Sequence, residues 1–193
     1  MNKNLHALST EELGKFFPIK IEPSNPDWIK LFNEEKQNLQ KILGAQVALR
    51  IEHFGSTAIS NLAAKPTIDI LVEIPKSMDV SDEIIDTMKL HNYDYILRND
   101  SPPPYMMFVK GYTPQGFEGQ CYHIHMGPAT HIGLWDRIYF RDYLRDNERT
   151  AKEYELLKIE LAEKYTYDRE KYTGGKAVFI KKITAIAKQK YNK

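Results

Sequence analysis

Residues 67–74 read Thr-Ile-Asp-Ile-Leu-Val-Glu-Ile, a nearly unbroken apolar run. Apolar side chains at both odd and even positions must be covered on both faces, so this strand belongs inside a sheet flanked by other layers. Upstream, Val47, Leu49 and Ile51 alternate with Ala48, Arg50 and Glu52, the period of a half-buried strand, and the run stops at Gly55. Ser24-Asn25-Pro26-Asp27 reads as a helix start, and Trp28, Phe32, Leu39, Ile42 and Leu43 recur at helical spacing until Gly44, which predicts a helix over 27–43. Ser81 opens a short helix to about His91, and 93–97, 105–110 and 119–126 read as strands. Thr113-Pro114-Gln115-Gly116 joins the last two as a hairpin, and Ser101-Pro102-Pro103-Pro104 is a loop. From Leu134 onward the pattern is helical, in three helices broken near Asn147 and at Thr173-Gly174-Gly175. This order predicts an α/β (α+β) fold, a mixed β-sheet flanked by helices with a helical C-terminal third. A length of 193 residues leaves room for one main core, so 1–193 reads as a single domain, with the sheet in 1–132 and helices packed on it in 133–193.

Apolar residues at 42%, with 12 Tyr, 8 Phe and 2 Trp, exclude global disorder. No apolar run approaches the roughly 20 residues of a bilayer span, and residues 1–17 carry charges where a signal peptide needs an apolar stretch. The chain is therefore expected to be soluble and cytoplasmic, with no membrane partner. A single cysteine, Cys121, suits a reducing compartment and excludes an internal disulfide and a structural zinc knuckle. The net charge of +1 is uneven: residues 1–132 hold 12 basic against 16 acidic side chains, and 133–193 hold 15 against 10. Residues 171–193 contain seven lysines and no acid, which suits either an anionic neighbour or a solvated helix face.

The segment R-I-E-H-F-G-S-T-A-I-S-N-L-A-A-K-P-T-I-D-I-L-V-E-I, residues 50–74, carries the chemistry. Gly55 permits close approach of a ligand, and Ser56, Thr57 and their backbone amides can donate to phosphate oxygens. The same turn would also serve as an ordinary helix N-cap. Asp69 is a carboxylate among Ile68, Ile70, Leu71 and Val72, and such a charge has to be paired, protonated or metal-bound. Lys65, tied to the turn between Ser56 and Asp69, is a stronger candidate to bind phosphate in the cleft than Lys158 or Lys176, unless Lys65-Pro66 only marks the strand entrance. Glu52 and His53 precede the turn and either orient it or form a structural pair.

The stretch E-H-F-G-S-T-A-I-S-N-L-A-A-K-P-T-I-D-I resembles the signature of the GrpB family, small proteins with the nucleotidyltransferase fold. Pro18-Ile19 to Trp28, His123-Ile124-His125, Phe140-Arg141-Asp142-Tyr143-Leu144-Arg145, Tyr154 with Leu157-Lys158, and Tyr172 to Phe179 also resemble family blocks, so nearly the whole chain is covered. The resemblance implies a nucleotidyltransferase-like sheet and cleft, with the substrate left open. In such folds a Gly-Ser turn follows the first strand, and the next strand offers two acids one residue apart that hold divalent metal at the triphosphate. By this similarity Gly55 and Ser56 match the turn and Asp69 the first acid, but the second position is Leu71. Glu73 lies four residues beyond Asp69, about 13 Å at strand rise, too far to share one ion with it. A two-metal arrangement, with ions about 3.5–4 Å apart, therefore lacks a ligand.

Alternation puts Cys121, His123 and His125 on one strand face. Beside 67–74, Asp69, His123 and His125 would form a two-histidine, one-carboxylate set for a divalent metal (Mg²⁺, Mn²⁺ or Zn²⁺), one that suits Zn, Mn or Fe better than Mg. The histidines could instead serve as acid, base or phosphate donor, or simply be hydrogen-bonded in the sheet. Cys121 reads as core. Arg141 and Arg145, i and i+4 on one helix, could clamp a phosphate or pair with nearby acids. Of Lys158 and Lys176, one is expected to reach the cleft. The resulting expectation is a protein that binds a nucleoside triphosphate or other phosphorylated small molecule with a divalent metal, and transfers a nucleotidyl group. The alternatives are a binding module without turnover, and a metal-dependent phosphoester hydrolase using His-x-His. A nucleic-acid partner is not expected, since no aromatic platform interleaves the lysines.

Overall fold

The computed structural model describes residues 9–98 and 103–191; the start of the expected 101–104 loop lies outside them. The N-terminal helix α1 (Thr10–Phe16) begins at a capping box, in which Ser9 and Glu12 each bond the other's backbone amide. Helix α2 (Asp27–Leu43) has the bounds read from its periodicity and buries Trp28, Phe32 and Leu39. There follow β1 (Arg50–Phe54), β2 (Thr67–Glu73), α3 (Asp82–Leu90, capped by Ser81), β3 (Asp94–Arg98), β4 (Tyr105–Thr113) and β5 (Gly116–Gly127). The chain ends in α4 (Ile132–Asp146), α5 (Glu148–Lys164), α6 (Arg169–Gly175) and α7 (Ala177–Tyr191).

Among the described residues five strands form one mixed sheet, ordered β1-β2-β5-β4-β3. Only the β2–β5 pair is parallel; the remaining pairs are antiparallel. The apolar run of β2 is thus explained by neighbours on both edges and layers on both faces. On one face Ile68, Ile70, Val72, Ile124 and Phe108 pack against Trp28 and Leu39 of α2 and Ile84 and Met88 of α3. On the other, Leu71, Phe54, Met107 and Val109 pack against Leu134 of α4. Burying each such side chain stabilises the fold by about 1.5–3 kcal/mol, which fixes the register of β2.

The first strand begins later than the alternation at 47–51 suggests. Gly44 turns the chain at φ +73°, its carbonyl accepts from the amides of Val47 and Ala48, and Leu49 is left exposed. The Thr113–Gly116 hairpin forms as expected, and Gly111 at φ +86° makes a bulge where a Cβ would stand 2.5 Å from the Gln120 carbonyl. The helical third contains four helices, not three. The additional break falls at 165–168, where Ile19 donates to the Thr166 carbonyl and Asp168 caps α6. No helix of the described residues is long and apolar enough to cross a membrane.

Candidate metal and phosphate site

The parallel β2–β5 register sets Asp69 opposite His123 and Leu71 opposite His125, so all four share the face turned away from α2 and α3. Asp69 Oδ1 stands 3.3 Å from His123 Nδ1, and the far nitrogen of that ring, Nε2, is 2.8 Å from the Tyr112 hydroxyl. His125 Nδ1 is 3.1 Å from the Tyr105 hydroxyl and 3.0 Å from Arg137 Nη1. Donor atoms of Asp69, His123 and His125 lie within 4.8 Å of one another.

The turn after β1 fits against this group. Gly55, at φ +72°, has the Asp69 carboxylate on its open side, and a Cβ there would lie 2.4 Å from Oδ2. Only glycine allows both that conformation and that approach. The expected role of Thr57 as a phosphate donor is not what its hydroxyl does. It donates to the Thr67 carbonyl at 3.1 Å and so must accept from His53 Nε2 at 3.0 Å. His53 in turn stacks on Phe32, and burial pushes its pKa down to about 4. Ser56 lies beside the Tyr154 hydroxyl.

Charge gathers around Asp69. Burial alone would raise its pKa, but His123, then Lys65 and Arg137, outweigh that and hold it below the usual carboxylate value. Burial lowers Lys65 to about 7 and Lys176 to about 8; Arg169 depresses both further, and Asp69 opposes the shift. Of Lys158 and Lys176, Lys176 is the one within electrostatic reach of Asp69, and its Nζ lies 4.0 Å from the centre of the Tyr172 ring. Lys158 is fully buried and donates to the Ala63 carbonyl, while Glu155 accepts from the Ala63 amide at 2.6 Å. One turn of α5 thus holds both backbone polar groups of one residue, Ala63, in the loop between Ser56 and Asp69.

Of the two readings of Arg141 and Arg145, a phosphate clamp or pairing with nearby acids, the structure shows pairing, extended to backbone carbonyls of the turn. Arg141 donates to Glu52 and to the His53 carbonyl at 2.8 Å each and to Asp142 at 2.7 Å, and it is buried. Arg145 donates through Nε and Nη2 to the Ala58 carbonyl at 3.0 and 2.8 Å. Their donors are engaged by backbone and carboxylates, so they brace the turn from behind. Cys121 is buried and points its thiol at the Gly111 carbonyl, as core. Arg137 and Arg169 were not singled out by sequence reasoning. Arg137 had a signal, since it precedes Arg141 and Arg145 at the same four-residue spacing on α4. Arg169 had none within its own segment.

Two donors fit a metal. Ligands about 2.0–2.1 Å from one tetrahedral ion stand about 3.3 Å apart, the Asp69–His123 separation, and Tyr112 would orient the imidazole from behind. A second ion does not fit. Leu71 is fully buried beside Phe54, Met107 and Leu134, in the place where its carboxylate ligand would have to be. Two open grooves, of about 610 and 510 Å³, lie elsewhere and include none of Asp69, His123 and His125.

The chain is similar to known proteins over most of its length. The family model described as GrpB protein matches residues 18–185. UPF0157 protein YqkA of Bacillus subtilis (strain 168) is 33% identical over 171 residues, 89% of this chain but 48% of that protein, so the chain spans about half its length. Glutamate-rich protein GrpB of Alkalihalophilus pseudofirmus is 38% identical over 159 residues, 81% of this chain and 88% of that protein. The crystal structure of conserved protein GrpB from Enterococcus faecalis superimposes with a TM-score of 0.76 at 31% identity, over 90% of this chain and 100% of that one.

Proposed function

The chain belongs to the GrpB family, and from that premise we propose that it binds a nucleoside triphosphate with one divalent metal and transfers the nucleotidyl group to an acceptor. The observation that carries this reading is the Gly55 turn seated on the Asp69 carboxylate, with His123 Nδ1 3.3 Å from that carboxylate; Lys65, Lys176 and Arg169 lie within electrostatic reach of one another, and both lysines within reach of Asp69. Half-buried cations crowded together are unfavourable until an anion joins them, and a polyphosphate supplies several charges at once. The Gly55-Ser56 turn borders the same carboxylate. Asp69 and His123 would hold the metal, which would polarise a phosphoryl oxygen.

The chain's own part is positioning and charge stabilisation. The acceptor oxygen bonds to the α-phosphorus as the bond to the bridging oxygen breaks. Pyrophosphate leaves with that electron pair toward the lysines, and the acceptor's proton is lost to water.

A second reading, nucleotide binding without turnover, is favoured by Leu71, since one carboxylate holds one metal. Hydrolysis with both histidines on a metal has less support, because Arg137 already occupies His125. The test is a thermal-shift series on chelator-treated protein with Mg²⁺, Mn²⁺ or Zn²⁺, with and without nucleoside triphosphates, followed by pyrophosphate release. Transfer requires a shift that needs metal and nucleotide together, is lost in Asp69→Asn, and is accompanied by pyrophosphate. The shift without pyrophosphate over long incubation would leave the binding module. No shift in any condition would overturn both.

A further inference from the structure

Arg137 projects from α4 to the His125 end of the site. Its Nη1 points at His125 Nδ1 at 3.0 Å and its Nη2 donates to the Tyr105 hydroxyl at 2.9 Å, with the guanidinium over the Phe54 and Tyr105 rings at 5.4 and 5.5 Å. A guanidinium has donors and no lone pair, so the direction of the first contact is settled: Nδ1 accepts. His125 is therefore neutral, with its proton on Nε2.

This excludes coordination through either nitrogen while Arg137 stays in place. Binding a metal through Nδ1 would require the lone pair that Arg137 Nη1, at 3.0 Å, and the Tyr105 hydroxyl, at 3.1 Å, both face. Binding through Nε2 would move the ring proton to Nδ1, against an Arg137 N–H. Among the described residues, Arg137 makes no ion pair with a carboxylate; its near partners are a neutral imidazole, a phenol and two rings, and Asp69 is felt only at longer range. It is a partly exposed cation held by neutral groups, with donors to spare.

We infer that Arg137 and His125 form an oxyanion-binding corner beside a metal position held by Asp69 and His123, and that Arg137 withholds His125 from the metal. The corner takes a phosphoryl oxygen. The inference deepens the proposed function and rests on its metal and phosphate, but not on any transfer. Arg137 is a positioning residue toward the metal and a direct ligand toward the anion.

The two roles give opposite signs on one substitution. Co²⁺, whose visible absorption intensifies on tetrahedral nitrogen and oxygen coordination, and inorganic pyrophosphate serve as probes of the metal-free full chain. In Arg137→Gln, Co²⁺ binding should tighten by about tenfold or more, the scale on which partners of a ligand act, while pyrophosphate binding should weaken by about tenfold. His125→Asn alone should leave Co²⁺ affinity within about twofold of the unsubstituted chain, and added to Arg137→Gln it should abolish the gain. A loss of Co²⁺ affinity in His125→Asn would make His125 a ligand and overturn the inference. So would an Arg137→Gln chain with unchanged Co²⁺ binding, or with pyrophosphate bound as before. Circular dichroism and melting of each variant separate these results from misfolding, and Arg137→Lys, which keeps charge without the planar fork, should restore pyrophosphate more than it restores the block on Co²⁺. The proposed transfer fails independently, if pyrophosphate is never released, whatever Arg137 does.

Discussion

Gly55 and Asp69 form one unit. In Gly55→Ala the methyl group would meet Asp69 Oδ2, and φ +72° would be strained by about 1–2 kcal/mol for any L side chain. The expected outcome is a folded protein with a lowered melting temperature that has lost the metal-dependent nucleotide shift; retention of that shift would show that the carboxylate does not need its seat on the glycine. His53 gives a pH dependence. Its pKa is about 4 in the fold against about 6.5 when unfolded, so the unfolded chain binds the proton more readily. The sign follows: stability falls as pH drops from about 6.5 toward 4 and levels below that, by about 3 kcal/mol in all. His53→Gln, which can still donate to Thr57, should flatten the profile measured by urea denaturation at stepped pH, and an unchanged slope would assign the loss to other groups. Asp69 and His123 were legible in the sequence because strand alternation and an apolar setting make a polar residue conspicuous. The true roles of Thr57, Arg141 and Arg145 were not, because their partners are carbonyls and side chains in other segments: His53 O lies 88 residues from Arg141 in the chain, and Ala58 O lies 87 from Arg145.

At the scale of elements, the loop between β1 and β2 has one short helical turn of its own at 56–58 and is otherwise held by segments packed around it. Glu155 and Lys158, three residues apart on α5, take the amide and the carbonyl of Ala63, and Glu22 pairs with Ala64 in an isolated antiparallel bridge. Removing Glu155 leaves a part-buried amide without its acceptor, which costs about 1–3 kcal/mol. Glu155→Ala should therefore lower stability by about 2 kcal/mol, and hydrogen exchange should locate the change at the Ala63 amide, ahead of the β2–β5 ladder. Equal protection before and after would mean that the loop is fixed by its apolar contacts, Ile59 and Leu62 against Leu144 and Tyr154. Local signals made α2, β2 and the β4–β5 hairpin legible, since each carries its own period, glycine or turn. The break at 165–168 has only Asp168, the N-cap of α6, as local punctuation, and no glycine or proline. The 17–21 segment also meets it, with Ile19 donating to Thr166, and a contact between segments so far apart in the chain leaves no mark on either local pattern.

Across the whole molecule, the uneven charge of the sequence has a structural meaning. The sheet-bearing part, poor in basic residues, contributes Asp69, and the basic helical third returns to it with Arg137, Arg169 and Lys176. Arg169 is kept in place from the opposite end of the chain, donating to the Phe17 carbonyl at 2.9 Å. The lysine run was legible as an excess, but which lysine faces the cleft is decided by how α6 packs. Gly175 at its end lies against Leu161 of α5, where a Cβ would approach within 2.6 Å, and Tyr172 is buried with Ile19 and Leu161. Lys176 follows directly, so its direction is set by this packing. Lys176→Ala should raise the dissociation constant for pyrophosphate about tenfold at low salt, equivalent to about 1.4 kcal/mol. The gap between variant and unsubstituted chain should shrink as ionic strength rises, because a partly hydrated ammonium acts through a screened field. Lys181→Ala, on the exposed side of α7, removes the same formal charge away from the cleft and should leave the constant unchanged. If both substitutions weakened binding equally, the anion would be responding to net charge alone, and α6 would have no part in the site.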